Sequence, residues 1–248
     1  AETFYGRFSQ RLIAALSAPT AEGTLFEIDM QLRPTGAKGP VAVSLGGLEG
    51  YYEADADVWE FLALTRARVV WSSDASFGQR VGQAVERALR RPRDPAATAA
   101  AVGGMRRLME RERPASGFWD LKLAPGGLVD VEFAAQYLQI VHAAQGGPLR
   151  ANTVESLEAM GAAGLAGAGE LDALSTAWTL QQRLSQLLRA ALDERQGAED
   201  EPDAFKQLLA TAGGAEDFEG LKRNLETVRA AARSAFERTL FPNDGISP

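Results

Sequence analysis

Thr24-Leu25-Phe26-Glu27-Ile28-Asp29-Met30-Gln31-Leu32-Arg33-Pro34 alternates between apolar and polar residues. Phe26, Ile28, Met30 and Leu32 fall on one face of an extended chain, and Glu27, Asp29 and Gln31 on the other. Strict alternation predicts a half-buried strand, with one face on a core and one open to chemistry. Pro34 has no N–H to give to a ladder, so the strand is predicted to end there. A second strand is expected at Val41-Ala42-Val43-Ser44-Leu45, beyond the glycine-rich loop Thr35–Pro40, and a hairpin is the economical pairing of the two. On the open face, Asp29 has Glu27 two positions before it and Arg33 at the strand end. It is a candidate ligand for Mg²⁺ held against a phosphate, because Mg²⁺ takes oxygen ligands and uses one or two protein carboxylates. Alternation alone is equally satisfied by an Asp29 that is merely solvated.

The chain has 248 residues, 46% hydrophobic and 24% charged, which suits a packed globular protein of one large or two small domains. Its formal net charge of −7 argues against a general nucleic-acid binder, since a phosphate backbone would be repelled at long range. With no cysteine there is no disulfide and no thiolate metal site, and with His142 as the one histidine a polyhistidine zinc site is excluded. A reducing cytoplasm fits. No apolar run is long enough to cross a bilayer, and the first residues lack the order of a signal peptide. The chain starts without Met and inside a predicted helix, so a piece of something longer is expected.

Outside the two strands nearly everything reads as helix. Tyr5, Phe8, Leu12 and Leu16 recur at helical spacing over residues 3–17. Short and longer helices are expected at Leu48–Glu53 and along the stripe Val58, Phe61, Leu62, Thr65, Val69. Another carries Phe77, Val81, Val85 and Leu89. Asp94-Pro95 is a start signal, with Asp as cap and Pro at the first helical position. The helix it opens carries Val102, Met105, Leu108 and Met109 and ends before Pro114. Phe118–Leu123 reads as a short extended piece, and Pro125-Gly126-Gly127 turns the chain into a helix over Leu128–Val141. That helix is apolar almost all round and is expected at the centre of a bundle. Asn152 or Thr153 caps a helix through Met160, Leu171–Leu192 forms a long one, and Glu194–Pro202 an acidic loop. In the last helix Phe218, Leu221, Leu225, Val228, Ala232, Ala235 and Thr239 step three and four, as in a bundle seam.

The candidates for chemistry are scattered. Arg66 and Arg68, two apart on a predicted helix, point about 200° apart, so one ligand is not expected to meet both; one suits a phosphate and the other a neighbouring carboxylate. Gly126-Gly127 before a helix is a weak anion-site signal. Asp130 and Glu132 stand in the first turns of that helix, where acids offset the dipole, and Lys122 upstream is placed to pair with either. The arginine clusters 87–93 and 106–113 read as solvated faces interleaved with acids, and His142 as a structural residue at a helix end.

In order, these stretches form a longer pattern. Phe26–Pro34, Gly39-Pro40-Val41, Trp59-Glu60-Phe61-Leu62-Ala63-Leu64-Thr65-Arg66-Ala67-Arg68-Val69-Val70, Asp120-Leu121-Lys122, Pro125-Gly126-Gly127-Leu128-Val129-Asp130-Val131-Glu132-Phe133 and Gln136-Tyr137-Leu138 together resemble the glutamine synthetase adenylyltransferases, bifunctional adenylylating and deadenylylating enzymes. The likeness runs from about Phe8 to Arg150. Val129–Phe133 and Leu64–Arg68 resemble the C-terminal, adenylylating half; the removing half tends to carry a basic residue near the position of Asp130. A related PII uridylyltransferase fits poorly over Arg66–Val70.

What the resemblance implies is transfer of AMP from ATP to a tyrosine hydroxyl of glutamine synthetase, with Mg²⁺, in the cytoplasm, without nucleic acid or membrane. Asp29 matches the third of three catalytic, metal-binding carboxylates, and Arg33, Arg66, Arg68 and Lys122 are the phosphate-contact candidates. Asp130 and Glu132 mark a possible site in the helical domain. The fold it implies is mainly α: a truncated α+β nucleotidyltransferase core of short antiparallel strands over residues 1–72, then an all-α bundle over 73–248. The other two carboxylates belong to a Gly-Ser-x-x-Asp-x-Asp motif that these 248 residues do not contain, so this chain by itself is expected to be inactive. The alternatives are the phosphorolytic, removing half of the same enzyme, and a non-catalytic helical module that binds glutamine synthetase or a PII-type regulator.

Overall fold

A computed structural model describes residues 2–24, 28–191 and 197–242. It divides into two compact units, Ala1–Leu89 and Arg90–Pro248. The first holds α1 (Glu2–Leu16), α2 (Leu45–Ala54), α3 (Val58–Leu64) and α4 (Ala75–Leu89). The second holds α5 (Pro95–Glu112), α6 (Leu128–His142), α7 (Thr153–Ala162), α8 (Ala168–Ala191), α9 (Asp203–Ala212) and α10 (Phe218–Leu240).

The expected antiparallel strands are not there. Among the described residues no β-strand forms, apart from an isolated bridge between Thr20 and Gly23, so the fold is all-α and the α+β core is corrected. Leu25, Phe26 and Glu27 lie outside the described residues. Residues 28–30 form no regular structure and the chain turns from Gln31 to Pro34, with polar residues of the alternating stretch holding the turn. The Asp29 carboxylate accepts from the Gln31 N–H at 2.8 Å, and the Arg33 guanidinium donates to the carbonyls of Met30, Ala37 (3.2 Å) and Gly39 (3.2 Å). Such local side-chain bonds offer the backbone an alternative to a ladder. The expected partner strand does not form: Val41 to Ser44 bend and lead into a helix. The Ser44 hydroxyl accepts from Gly47 N–H at 3.1 Å and caps α2, which takes Leu45 as its first residue.

Among the described residues of the first unit, the buried ones lie in α2, α3, α4 and Thr65 just after α3, with Tyr52, Phe61, Leu62, Leu64 and Leu89 at the centre. Tyr51 donates to the buried Glu60 at 2.6 Å, and Glu60 accepts the Asp57 N–H at 2.9 Å, closing the start of α3. The apolar stripe of α1 (Tyr5, Phe8, Leu12, Leu16) stays exposed. The longer helix expected around Arg66 stops at Leu64. Thr65 turns its hydroxyl onto the Leu62 carbonyl at 2.6 Å, and the chain leaves in tighter turns.

In the second unit α6 is the hub, as its all-round apolar sequence predicts. It packs on α5, α7, α8 and α10, and Leu128–Asp130, Val131 and Ala134–Val141 are buried. The predicted caps hold: Asp94 accepts from Ala97 N–H at 2.6 Å with Pro95 opening α5. Asn152, of the two cap candidates, accepts from Val154 and Glu155. The α10 seam packs Leu221, Leu225, Ala232 and Ala235 fully out of water. The α9 helix, unread in the sequence, puts Leu209 and Ala210 into a cluster with Leu184, Leu221 and Leu225. On α5 the buried face is Thr98, Ala99, Val102, Gly103 and Arg106, and Leu108, expected inside, is exposed.

Candidate functional site

Fifteen residues, 113–127, join α5 to α6. Helix connections in bundles usually take about two to eight residues, and much longer ones are usually either functional or linkers. This one is tied down along its second half. Asp120 accepts the backbone N–H groups of Ser116 (3.1 Å), Lys122 (3.1 Å) and Leu123 (2.8 Å). Burial pushes the Asp120 carboxyl up, and those N–H bonds with the Ser116 hydroxyl more than offset it, leaving it below the usual carboxylate range. The first N–H groups of α6 are also spent within the loop: Leu128 donates to Leu121 O at 2.9 Å and Val129 to Lys122 O at 3.2 Å.

Side chains from four helices, α5, α6, α8 and α10, complete the clamp. Arg229 of α10 donates to Phe118 O at 2.7 Å and Asp120 O at 3.1 Å, and Nε donates to Gln181 Oε1 of α8 at 3.2 Å. Gln181 in turn donates to Gly126 O at 2.9 Å. Arg106 of α5 donates to Leu123 O at 2.9 Å and Ala124 O at 3.3 Å, and its Nε to Asp130 Oδ1. The other oxygen of Asp130 accepts Gly126 N–H at 2.6 Å and Arg233 Nη1 at 3.2 Å. Arg233 also pairs with Glu110 at 2.7 Å and Glu237 at 2.7 Å. Burial lowers the pKa of Arg233, and the three carboxylates around it raise it by more.

The glycines of Pro125-Gly126-Gly127 have steric reasons to be there. Gly126 has φ +73, and a Cβ on it would lie 1.9 Å from Arg229 O; one on Gly127 would lie 2.7–2.9 Å from three loop carbonyls. The anion-site signal of this Gly pair is therefore met from inside. The anion at the start of α6 is Asp130, completely buried. Glu132 is half-buried on the same helix, and Lys122 is exposed.

The remaining predicted residues lie in the first unit. Asp29 is exposed and accepts the Gln31 N–H. Arg33 is engaged by three carbonyls, so its guanidinium is spent on the turn. Arg66 and Arg68 follow α3 in an exposed turn and irregular segment, so the helical geometry expected for them does not apply. Among the described residues no group of three or more His, Asp or Glu is placed to hold a metal ion. The residues present do not fit a two-metal centre.

Three residues that matter most here were misread or unread in the sequence. Arg106 reads as part of a solvated cluster, yet it is 1% exposed. The signal was its spacing: it follows Val102 by four and Thr98 by eight on one helix face. Arg229 likewise follows Leu225 by four on the α10 seam. For Gln181 the α8 pattern offers a similar register, four after the buried Ala177.

Residues 1–84 match the family model described as glutamate-ammonia ligase adenylyltransferase, and residues 104–240 the model described as GlnD PII-uridylyltransferase. A Caulobacter vibrioides protein named bifunctional glutamine synthetase adenylyltransferase/adenylyl-removing enzyme is 60% identical over 237 residues, 96% of this chain and 24% of that protein. The chain belongs to the glutamine synthetase adenylyltransferase family. Proteins of the same name from Rhizobium meliloti (41% identical, 94% of this chain) and Rhodopseudomonas palustris (39%, 97%) extend the match. This family member spans about a quarter of the length of each of these relatives: 24%. The match to the uridylyltransferase model falls within the second unit.

Proposed function

We propose that this chain works as a segment of an enzyme that transfers AMP from ATP to a tyrosine hydroxyl of glutamine synthetase. The observation that carries the reading is 60% identity across both units, in order, to a protein named for that activity. In the reaction the tyrosine oxygen bonds to the α-phosphorus, the α–β bridging P–O bond breaks, and pyrophosphate leaves with the electron pair. Residues 1–72 would serve the nucleotidyltransferase part and 73–248 the helical domain. Asp29 is the catalytic and metal-ligand candidate. Since it can supply one carboxylate, most ligands of Mg²⁺ and of the ATP phosphates would come from outside this chain. Arg66 and Arg68, exposed and just past α3, are the phosphate candidates of the first unit; Arg33 has a turn to hold.

The adenylylating direction is supported by the acid at position 130, which is buried between Arg106 and Arg233. Glutamine synthetase is the proposed protein substrate, a PII-type protein the proposed regulator, and the cytoplasm the proposed setting. No helix of the described residues is long and apolar enough to cross a membrane.

The test is a chimera. The Caulobacter enzyme, with its matching stretch replaced by these 248 residues, is expected to adenylylate glutamine synthetase with ATP and Mg²⁺. An inactive chimera that still folds would sink the reading. The 248 residues alone are expected to show no turnover.

A further inference from the structure

Between α5 and α10 the helical unit leaves a cavity of about 520 Å³, within the size range of small-molecule sites. Four arginines reach it, Arg106 and Arg107 from α5 and Arg233 and Arg238 from α10, and Phe236 and Phe241 supply an aromatic wall. On the α5 side the wall is bare. A glycine within a helix is unfavourable next to alanine, but a Cβ on Gly103 would lie 3.0 Å from the Phe241 ring and 3.3 Å from Arg107 Nη1.

Three of these arginines are paired with carboxylates. Arg106 meets Asp130, Arg233 meets Glu110 and Glu237, and Arg238 meets Glu170. The pairing is incomplete in two places. Arg106 Nη1 is buried with no hydrogen-bond acceptor among the described residues; Glu110 Oε1, 3.4 Å away, is bonded to Arg233 at 2.7 Å instead. A buried N–H without an acceptor is destabilising, and each such group calls for a reason. Arg107 is exposed and makes no hydrogen bond or ion pair with a described residue. Two successive guanidiniums on one cavity wall thus carry unspent N–H groups beside an aromatic surface.

We infer that this cavity binds a small organic monocarboxylate. Arg107 receives the carboxylate at the rim. Arg106 Nη1 is its second contact, as Glu110, bonded to Arg233, gives way. The apolar body of the ligand lies against Phe236 and Phe241. The planar carboxylate matches the guanidinium fork, and carboxylates are already what the other arginines of the cavity hold. The four positive charges are balanced one for one by Asp130, Glu110, Glu237 and Glu170, so the cavity offers unspent donors more than surplus charge. Those acids repel a phosphate dianion more than a monoanion. The inference does not depend on the proposed adenylyl transfer.

The probes are benzoate and its neutral analogue benzamide, added to the intact 248-residue chain. A ligand that binds the folded state raises the melting temperature as its concentration passes its Kd. Benzoate is expected to do so saturably, and benzamide is not. Arg107→Gln is expected to weaken benzoate about tenfold or more, the loss of one charge-assisted contact. Its side chain is exposed and unpaired, so the melting temperature without benzoate should be unchanged. Ala100→Leu, on the exposed side of the same wall, fills the cavity and is expected to abolish binding. Arg111→Gln, an exposed arginine of α5 that does not line the cavity, is expected to bind benzoate as the parent does. No saturable shift with benzoate, or an equal shift with benzamide, overturns the inference. So does an Arg107→Gln protein that binds benzoate as tightly as Arg111→Gln. Phenyl phosphate binding more tightly than benzoate overturns the carboxylate assignment.

Discussion

Asp130 and Arg106 form an ion pair from which water is excluded on both sides: the carboxylate is 0% exposed and the guanidinium side chain 1%. Each of its groups has further partners. Asp130 also takes Gly126 N–H and Arg233, and Arg106 also holds two loop carbonyls. The pair therefore ties α5, α6, α10 and the loop before α6 into one arrangement.

Removing one member should leave the other buried and uncompensated. Asp130→Ala is expected to destabilise the helical unit by about 3–5 kcal/mol, the usual result of breaking a buried pair. Asp130→Asn, which still accepts from Gly126 N–H, should cost less. Urea unfolding of the 248-residue chain, followed by circular dichroism, gives both values.

Gly126 and Gly146 separate backbone strain from collision. Both have positive φ, +73 and +86, but a Cβ on Gly146 meets open space while one on Gly126 would overlap Arg229 O. Gly146→Ala is expected to cost about 1–2 kcal/mol, the left-handed penalty alone. Gly126→Ala should cost clearly more and disturb α10, seen as exchange of amides around Arg229. Equal costs would show that the loop yields easily.

His142 should make stability fall as the solution turns mildly acidic. Burial lowers its pKa, and a hydrogen bond to the Leu165 backbone offsets this only in part. The end of α6, where the sequence suggests a favoured cation, is thus overruled by desolvation. With the folded value depressed below 6.5, the unfolded chain takes up the proton first. Stability is then full above about pH 7 and declines as pH drops through the unfolded value toward the folded one. The melting temperature should decline between pH 7 and pH 5 in the native chain and stay flatter in His142→Gln, since no other histidine is present.

Asp29→Asn should be nearly silent in the fold and costly in the reaction. The side chain is exposed and bonds one N–H, so stability should change by no more than about 0.5 kcal/mol. In the active chimera the same change is expected to slow adenylylation about 10²–10³-fold, the scale of losing a metal-ligating carboxylate worth several kcal/mol. Full activity would remove Asp29 from the chemistry.

The sequence was most legible where a structure closes on itself. An α-helix satisfies its backbone within its own span, so α5, α6 and α10, the caps Asp94 and Asn152, and the turn at Gly126-Gly127 follow from local patterns. The alternation around Asp29 is as regular a pattern, but a strand needs a neighbour's N–H and C=O groups. Here the expected neighbour bends into the Ser44 cap of α2, and Asp29 and Arg33 bond their own turn. Within α5 the helix was legible but its inner face was not, because Arg106, a charged residue, lies where an apolar one was sought.

Family membership and the order of the helices other than α9 were thus legible in the sequence alone. Which charges meet was decided by the tertiary structure. Arg106, Asp130 and Arg233 are 24 and 103 residues apart in the chain, and no periodicity links them. They pair because α5, α6 and α10 bury a shared core, and once water is excluded each charge must find its counterpart inside.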